Sequence, residues 1–282
     1  MTMPDVATRA SAAMPSEDPS ERPQRPLIRI GGVSKIYHNG TVALRDVDLA
    51  VAHGEFVSLL GPSGCGKSTL LRLIAGLGAV SDGTIDWPLS RYDVRGEPIR
   101  DLGFVFQDPT LMPWATVADN VYLPLKLAGI GRRAAAARIA EALAMVKLER
   151  FAGAYPRELS GGMKMRVSIA RALVVKPRVL LMDEPFAALD EITRFRLNND
   201  LVRLWQEQGW TVVFVTHSVF ESVYLSNRII VMSTRPGRIV GEVAIDAPYP
   251  RGDAFRTSRT YNEFCRLTSA ELARAMAGTE EE

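Results

Sequence analysis

Apolar residues in this chain cluster in short runs. The segments 55–60, 102–106, 178–182, 211–215 and 228–232 are strand-sized and bounded by glycine or polar residues, which reads as strands buried on both faces. Between them, apolar positions recur at helical spacing over 67–76, 161–174, 191–208 and 218–225. Strands alternating with helices predict a parallel sheet covered on both sides. Earlier in the chain, 27–33 and 42–52 look like strands on either side of the turn His38-Asn39-Gly40, and 83–87 like another. A hairpin strand is expected at 238–244 and a final helix over 258–278. From Gln107 onward the rhythm changes. Residues 117–127 have helical spacing, 132–146 are rich in alanine, and 148–152 read as a short continuation. Residues 108–165 are therefore expected to form a helical block set between strand-rich parts.

Composition adds boundaries. Residues 1–26 hold five prolines and no aromatic residue, too little apolar surface to offset ordering, so a disordered tail is expected there. The other expected units are one large domain over 27–257 and a C-terminal helix with an acidic tail over 258–282. Among 282 residues, Lys plus Arg number 34 and Asp plus Glu 32. A net charge of +2 gives no whole-chain case for a nucleic-acid or anionic-membrane partner. Two cysteines imply no disulfide framework, and no apolar run is long enough for a membrane helix. The first 26 residues lack the apolar stretch of a secretory signal.

The strongest motif is Gly61-Pro62-Ser63-Gly64-Cys65-Gly66-Lys67-Ser68-Thr69, a G-x-x-x-x-G-K-[ST] loop between an expected strand and an expected helix. Glycines let successive backbone N–H groups turn toward phosphate oxygens, and the helix adds its positive N-terminal end. Lys67 would neutralise the β- and γ-phosphates of a nucleotide, and Ser68 would offer its hydroxyl to Mg²⁺. Cys65 occupies a variable place in the loop, where its thiol is expected to be incidental, though still a convenient target for a thiol reagent that ATP would shield. Such a loop by itself does not separate kinases, GTPases and transport ATPases.

The apolar strand near 179–182 ends in Asp183-Glu184. One carboxylate beside a phosphate loop suits Mg²⁺, the role expected of Asp183. A second can polarise an attacking water, the role expected of Glu184. Ser160-Gly161-Gly162 opens the expected helix over 161–174 and so makes a second anion site.

Leu159-Ser160-Gly161-Gly162-Met163, placed upstream of this acid pair, resembles the LSGGQ signature of the ATP-binding-cassette family. Other motifs of that family follow in order over about residues 27–240. Tyr37 looks like the aromatic that stacks on adenine. Gln107 looks like the glutamine joining the core to the helical subdomain, and with Ser68 and Asp183 it would surround Mg²⁺. Ala187-Ala188-Leu189-Asp190 looks like the dimer-contact loop, with Asp190 kept. His217 looks like the switch histidine on the γ-phosphate. The resemblance implies an α/β P-loop cassette with a parallel sheet, an antiparallel β subdomain and an inserted α-helical subdomain. It implies ATP hydrolysis with Mg²⁺, using Lys67, Gln107, Glu184 and His217, and residues 61–69 with Tyr37 as the ATP site. Ser160, Gly161, Gly162 and Met163 would act on ATP held by a second copy, giving a homodimer. Met163 replaces the usual signature glutamine, Met165 stands where glutamine is frequent, Ala187 replaces a common serine, and Ser218 follows the histidine where aspartate is frequent. None removes a catalytic group.

Leu111-Met112-Pro113-Trp114, Met163 and Ser233-Thr234-Arg235-Pro236-Gly237-Arg238 resemble the importer branch for nitrate, sulfonates and taurine. That implies a multi-span permease partner, a solute-binding protein beyond it, and a peripheral place on the cytoplasmic face of the bacterial inner membrane. The region 107–121 would dock the permease, with Trp114 either an exposed anchor or part of the core. The alternatives are a soluble cassette acting on nucleic acid or ribosomes, which usually carries a long coiled coil or a second cassette, and a phosphoryl-transfer enzyme, in which the signature would have no task.

Overall fold

The hairpin expected around residues 38–40 is present in the computed structural model of the chain, which describes residues 25–90, 100–234 and 236–277. Strands β1 (Ile28–Ile36) and β2 (Val42–Val51) pair antiparallel, and β4 (Asp82–Asp86) pairs with the other edge of β1, giving the order β2-β1-β4. Strand β1 runs beyond the expected 27–33. Register shifts between Ile30 and Val33 absorb Gly31-Gly32, and pairing resumes beyond them.

The second sheet carries the site. It contains β3 (Phe56–Leu60), β5 (Leu102–Val105), β6 (Val179–Asp183), β7 (Thr211–Thr216), β8 (Arg228–Met232) and β9 (Ile239–Ala244). Its order is β5-β6-β7-β3-β8-β9, with β9 antiparallel to β8 and the other pairs parallel. Every residue of β3, β6 and β7 is buried, which explains their unbroken apolar character. Alternate residues feed two cores. Phe56, Leu60, Leu180, Met182, Val212 and Phe214 face one, while Val57, Leu59, Leu181, Val213 and Val215 face the other. Because β6, β7 and β3 are neighbours, the loops leaving their carboxyl ends meet at one place.

The helical block holds α2 (Val117–Leu127) and α3 (Arg132–Met145), and leads into α4 (Gly161–Leu173). The expected continuation over 148–152 is a separate 3-10 turn, Glu149–Phe151, because Lys147 adopts a left-handed backbone and breaks the helix. The block has no separate core: Val117, Val121, Leu125 and Ile139 share one cluster with Phe56 and Phe214. Buried Asn120 fastens the segment before α2. Its amide donates to the carbonyls of Met112, Ala115 and Thr116 and accepts from the Met112 N–H at 2.7 Å. Trp114, on that segment, is 77% exposed and not part of the core.

After β6 come α5 (Glu191–Gln208) and, beyond β7, α6 (Val219–Leu225). The expected terminal helix is α8 (Arg259–Ala277), preceded by a one-turn helix α7 (Asp253–Arg256). Arg251 locks this end of the chain. It is 4% exposed and donates to the carbonyls of Val223, Tyr224, Ser226, Ile245 and Ala247. The expected tail lies almost entirely outside the described residues, as do Arg235 and the acidic end at 278–282. Among the described residues, no helix is long and apolar enough to cross a membrane.

Candidate ATP site

Between β3 and α1 (Lys67–Ile74) the chain makes the expected loop. Its glycines are required by space and conformation. A Cβ on Gly61 would lie 2.8 Å from Cys65 Sγ and from the Met232 carbonyl, and one on Gly66, at φ +94°, would lie 2.7 Å from the Ala43 carbonyl. Helix α1 starts at Gly66 with no side-chain cap. Its first N–H groups are thus left for a ligand, and an anion is the ligand they favour. Lys67 is buried, and its Nζ donates to the carbonyls of Gly61 at 2.7 Å and Pro62 at 2.9 Å.

Two carboxyl groups close the site. Ser68 Oγ donates to Asp183 Oδ1 at 2.7 Å. Burial pushes the Asp183 carboxyl above its ordinary range, and the Ser68 bond and Arg72 partly offset this. Glu184 has a left-handed backbone, φ +43°, at the end of β6. For a non-glycine residue that conformation costs on the order of 1 kcal/mol or more and is held by the surroundings. It aims Oε2 to 3.0 Å from His217 Nδ1, at the end of β7, and Oε1 to 3.9 Å from Lys67 Nζ.

A cleft of about 510 Å³ opens here. Tyr37, Ser63, Gly64, Gly66, Lys67, Ser68, Thr69, Gln107 and Glu184 all line it, so most expected site residues converge. Tyr37 is 44% exposed, and its hydroxyl lies 3.2 Å from Thr69 Oγ1. Thr41, Val42 and Ala43 also line the cleft and were not expected. The signal for them was the turn at 38–40, across which the Tyr37 N–H donates to the Thr41 carbonyl. Arg171 holds the segment after Gln107 by donating to the carbonyls of Pro109 and Thr110.

One expectation fails. Cys65 is not open to reagents: it is 1% exposed, its side chain turns into the core, and burial pushes its thiol up despite Lys67 Nζ at 3.7 Å.

The signature residues do not line the cleft. Ser160 caps α4 by accepting from the Met163 N–H at 3.3 Å. Gly161 and Gly162 lie against the segment after β6: a Cβ on Gly161 would meet Leu189 at 3.4 Å, and one on Gly162 would meet Thr193 Cγ2 at 2.6 Å. Asp190 caps α5 by accepting from the Thr193 N–H at 2.9 Å, and its hydrogen bonds hold its carboxyl below the usual range. Ser160 to Met163 and Asp190 thus form a second surface.

The residues present fit a nucleotide triphosphate with Mg²⁺. The uncapped helix end and Lys67 suit phosphates, and the Ser68–Asp183 pair offers hard oxygen donors. Among the described residues, no group of three or more His, Cys, Asp and Glu could enclose a metal by itself.

A family model described as "ABC transporter" matches residues 44–187, just over half of the chain. An aliphatic sulfonates import ATP-binding protein of Bacillus cereus is 41% identical over 250 residues, covering 88% of this chain and 96% of the relative. A taurine import ATP-binding protein of Rhizobium johnstonii is 48% identical over 204 residues, covering 72% and 77%. Among solved structures, the dimeric post-hydrolysis state of the ATP-binding cassette MJ0796 bound to ADP and Pi is 34% identical with a TM-score of 0.66. It covers 78% of this chain and all of that one. The α/β fold, the phosphate loop with its acid pair, and these relatives together show that the chain belongs to the ABC transporter family, as one of its ATP-hydrolysing cassettes.

Proposed function

We propose that the chain is the ATPase of an importer for a small sulfonate-like or related anion such as nitrate, working as a homodimer beneath a separate membrane permease. It would sit peripherally on the cytoplasmic face of the cell membrane. The names of the sulfonate and taurine import relatives support the cargo class, and the dimeric cassette supports the homodimer. A solute-binding protein would feed the permease from outside.

The observation that carries the catalytic reading is the Glu184–His217 contact at 3.0 Å above the phosphate loop. Tyr37 takes the adenine face, and residues 61–69 cradle the phosphates. Lys67 gives up its loop carbonyls and turns to the β- and γ-oxygens. Ser68, Gln107 and Asp183 would hold Mg²⁺, which when bound would supply charge neutralisation on the phosphates. Glu184 accepts a proton from the attacking water, and His217 holds the γ-phosphate and orients Glu184. The second surface, Ser160 to Met163 with Asp190, completes the site of the other copy. Trp114, 77% exposed on the segment pinned by Asn120, is the anchor for the permease.

The test is capture of the tagged Glu184→Gln chain with ATP from detergent-solubilised native membranes. A co-purifying multi-span permease supports the reading. Recovery with ribosomes or nucleic acid and no permease would move it to the soluble cassettes.

A further inference from the structure

No described residue of the turn 233–238, between β8 and β9, lines the ATP cleft. Its backbone nevertheless runs directly against the phosphate loop. Strand β8 ends at Met232, and a Cβ on Gly61, the first residue of the loop, would lie 2.8 Å from the Met232 carbonyl oxygen. Gly237 is buried against the other end of the loop. A Cβ there would collide with the Cys65 carbonyl oxygen, and would lie 3.0 Å from the Ala43 carbonyl and 3.1 Å from Leu44 Cδ2. Backbone meets backbone with no side chain between them, an approach that glycine allows.

The turn is also tied to β2. The Gly237 N–H donates to the Ala43 carbonyl at 3.1 Å, and the Arg45 N–H donates to the Gly237 carbonyl at 3.0 Å. Ala43 lines the cleft, and Gly66 of the loop comes close at the same place, its missing Cβ falling 2.7 Å from the Ala43 carbonyl and from Leu44 Cδ2. The turn is braced within itself: the Ser233 N–H donates to the Arg238 carbonyl at 3.0 Å and the Ser233 hydroxyl to the Pro236 carbonyl at 3.4 Å. Residues 43–45, 65–66 and 237 are thus wedged together, and close packing lets none of them shift alone.

The Cys65 carbonyl and the Gly66 N–H belong to one peptide unit. That unit is planar and trans, so its N–H points away from its C=O. With the carbonyl pressed on Gly237, the N–H is turned away from the turn, and Gly66 lines the cleft. The N–H groups of such a loop converge and repel one another until an anion arrives, so its shape has to be held from outside. We propose that the turn 233–238 is the support that holds the phosphate loop ready for phosphate, with Gly237 as a positioning residue that aims the Gly66 N–H by backing the Cys65 carbonyl. The proposal rests on the reading of residues 61–69 as the phosphate cradle.

In the full chain, Gly237→Ala is expected to weaken ATP binding about tenfold by equilibrium titration while kcat at saturating ATP stays within about threefold, because Glu184 and His217 stand on other strands. Gly83→Ala is the control. At φ +82° its methyl would collide with the Gly32 carbonyl, and neither residue lines the cleft. It is expected to lower the melting temperature and to keep ATP affinity within about twofold. Wild-type affinity in Gly237→Ala, or an equal loss of affinity in Gly83→Ala, would overturn the proposal. If Lys67→Ala also keeps wild-type affinity, the cradle itself is misread; if Lys67→Ala loses affinity and Gly237→Ala does not, the support alone is wrong. A second measurement needs no variant. In the wild-type chain, ATP is expected to slow hydrogen exchange at the Arg45 and Gly237 N–H groups together with residues 63–67. Protection of 63–67 with no change at Arg45 and Gly237 overturns the support even where Gly237→Ala does not fold.

Discussion

His217 Nδ1 and Glu184 Oε2 lie 3.0 Å apart although the residues are separated by 33 positions in the chain. The parallel pairing of β6 with β7 makes the contact, bringing Asp183 opposite Val215 so that the residues just beyond the two strand ends, Glu184 and His217, meet. The Glu184 N–H donates to the Val215 carbonyl at 3.0 Å, extending the ladder by one step before the backbone turns left-handed. The carboxylate is thereby fixed at the backbone and at its tip before any nucleotide arrives.

Lys67→Ala is expected to weaken ATP binding by about tenfold or more, because it removes the buried ammonium at the phosphate loop. Lys67 also bridges the Gly61 and Pro62 carbonyls. The nucleotide-free loop should therefore loosen too, which hydrogen exchange over 61–66 would register. Unchanged nucleotide affinity would contradict the loop's role.

Gly162→Ala should destabilise the chain by about 1–3 kcal/mol, since the new methyl falls 2.6 Å from Thr193 Cγ2. Thr193→Ser removes that methyl and should recover most of the loss in the double variant. Thermal unfolding of the two single variants and the double checks this. Equal stability of Gly162→Ala and wild type would show that the two segments do not pack as described.

Cys65 should resist a thiol reagent in the folded chain whether or not ATP is present, and react at once after unfolding in urea. Its sulfur is buried, and burial raises its pKa, so thiolate is scarce as well as hidden. Rapid labelling of Cys65 in the native chain, slowed by ATP, would restore the expectation drawn from the sequence.

Glu221 gives a signed pH dependence. Burial raises its carboxyl above the ordinary 4.5, so the folded chain binds a proton that the unfolded chain releases. Its stabilising contribution is full below the unfolded value and is lost as pH climbs through the folded one. Glu221→Gln removes this titration. The melting temperature of wild type relative to that variant should therefore fall as pH rises above the ordinary 4.5. A constant difference would exclude a buried neutral carboxyl.

Much of this was legible because strong local signals and topology agree. The unbroken apolar runs of β3, β6 and β7 are strands buried on both faces, and the glycine loop between β3 and α1 is dictated by φ and space at Gly66. What stayed hidden depends on contacts between distant segments. Nothing in Cys65's neighbours tells that its side chain turns inward onto Gly61, and nothing near Arg251 announces carbonyl partners on both α6 and the chain after β9. Ser218 and Glu221 have the spacing of a capping box, yet the partner taken by the carboxyl is the hydroxyl before the histidine. The approach of Gly162 to Thr193 likewise arises only when α4 is laid beside α5.

The most direct test of the central claim is a paired measurement on Glu184→Gln: ATP affinity by equilibrium titration and turnover by phosphate release. The account predicts wild-type affinity or tighter, with kcat lowered by about two to three orders of magnitude, because the phosphate cradle survives while the water loses its base. Turnover near the wild-type rate, or loss of ATP binding along with turnover, would contradict the role given to the carboxylate that His217 holds.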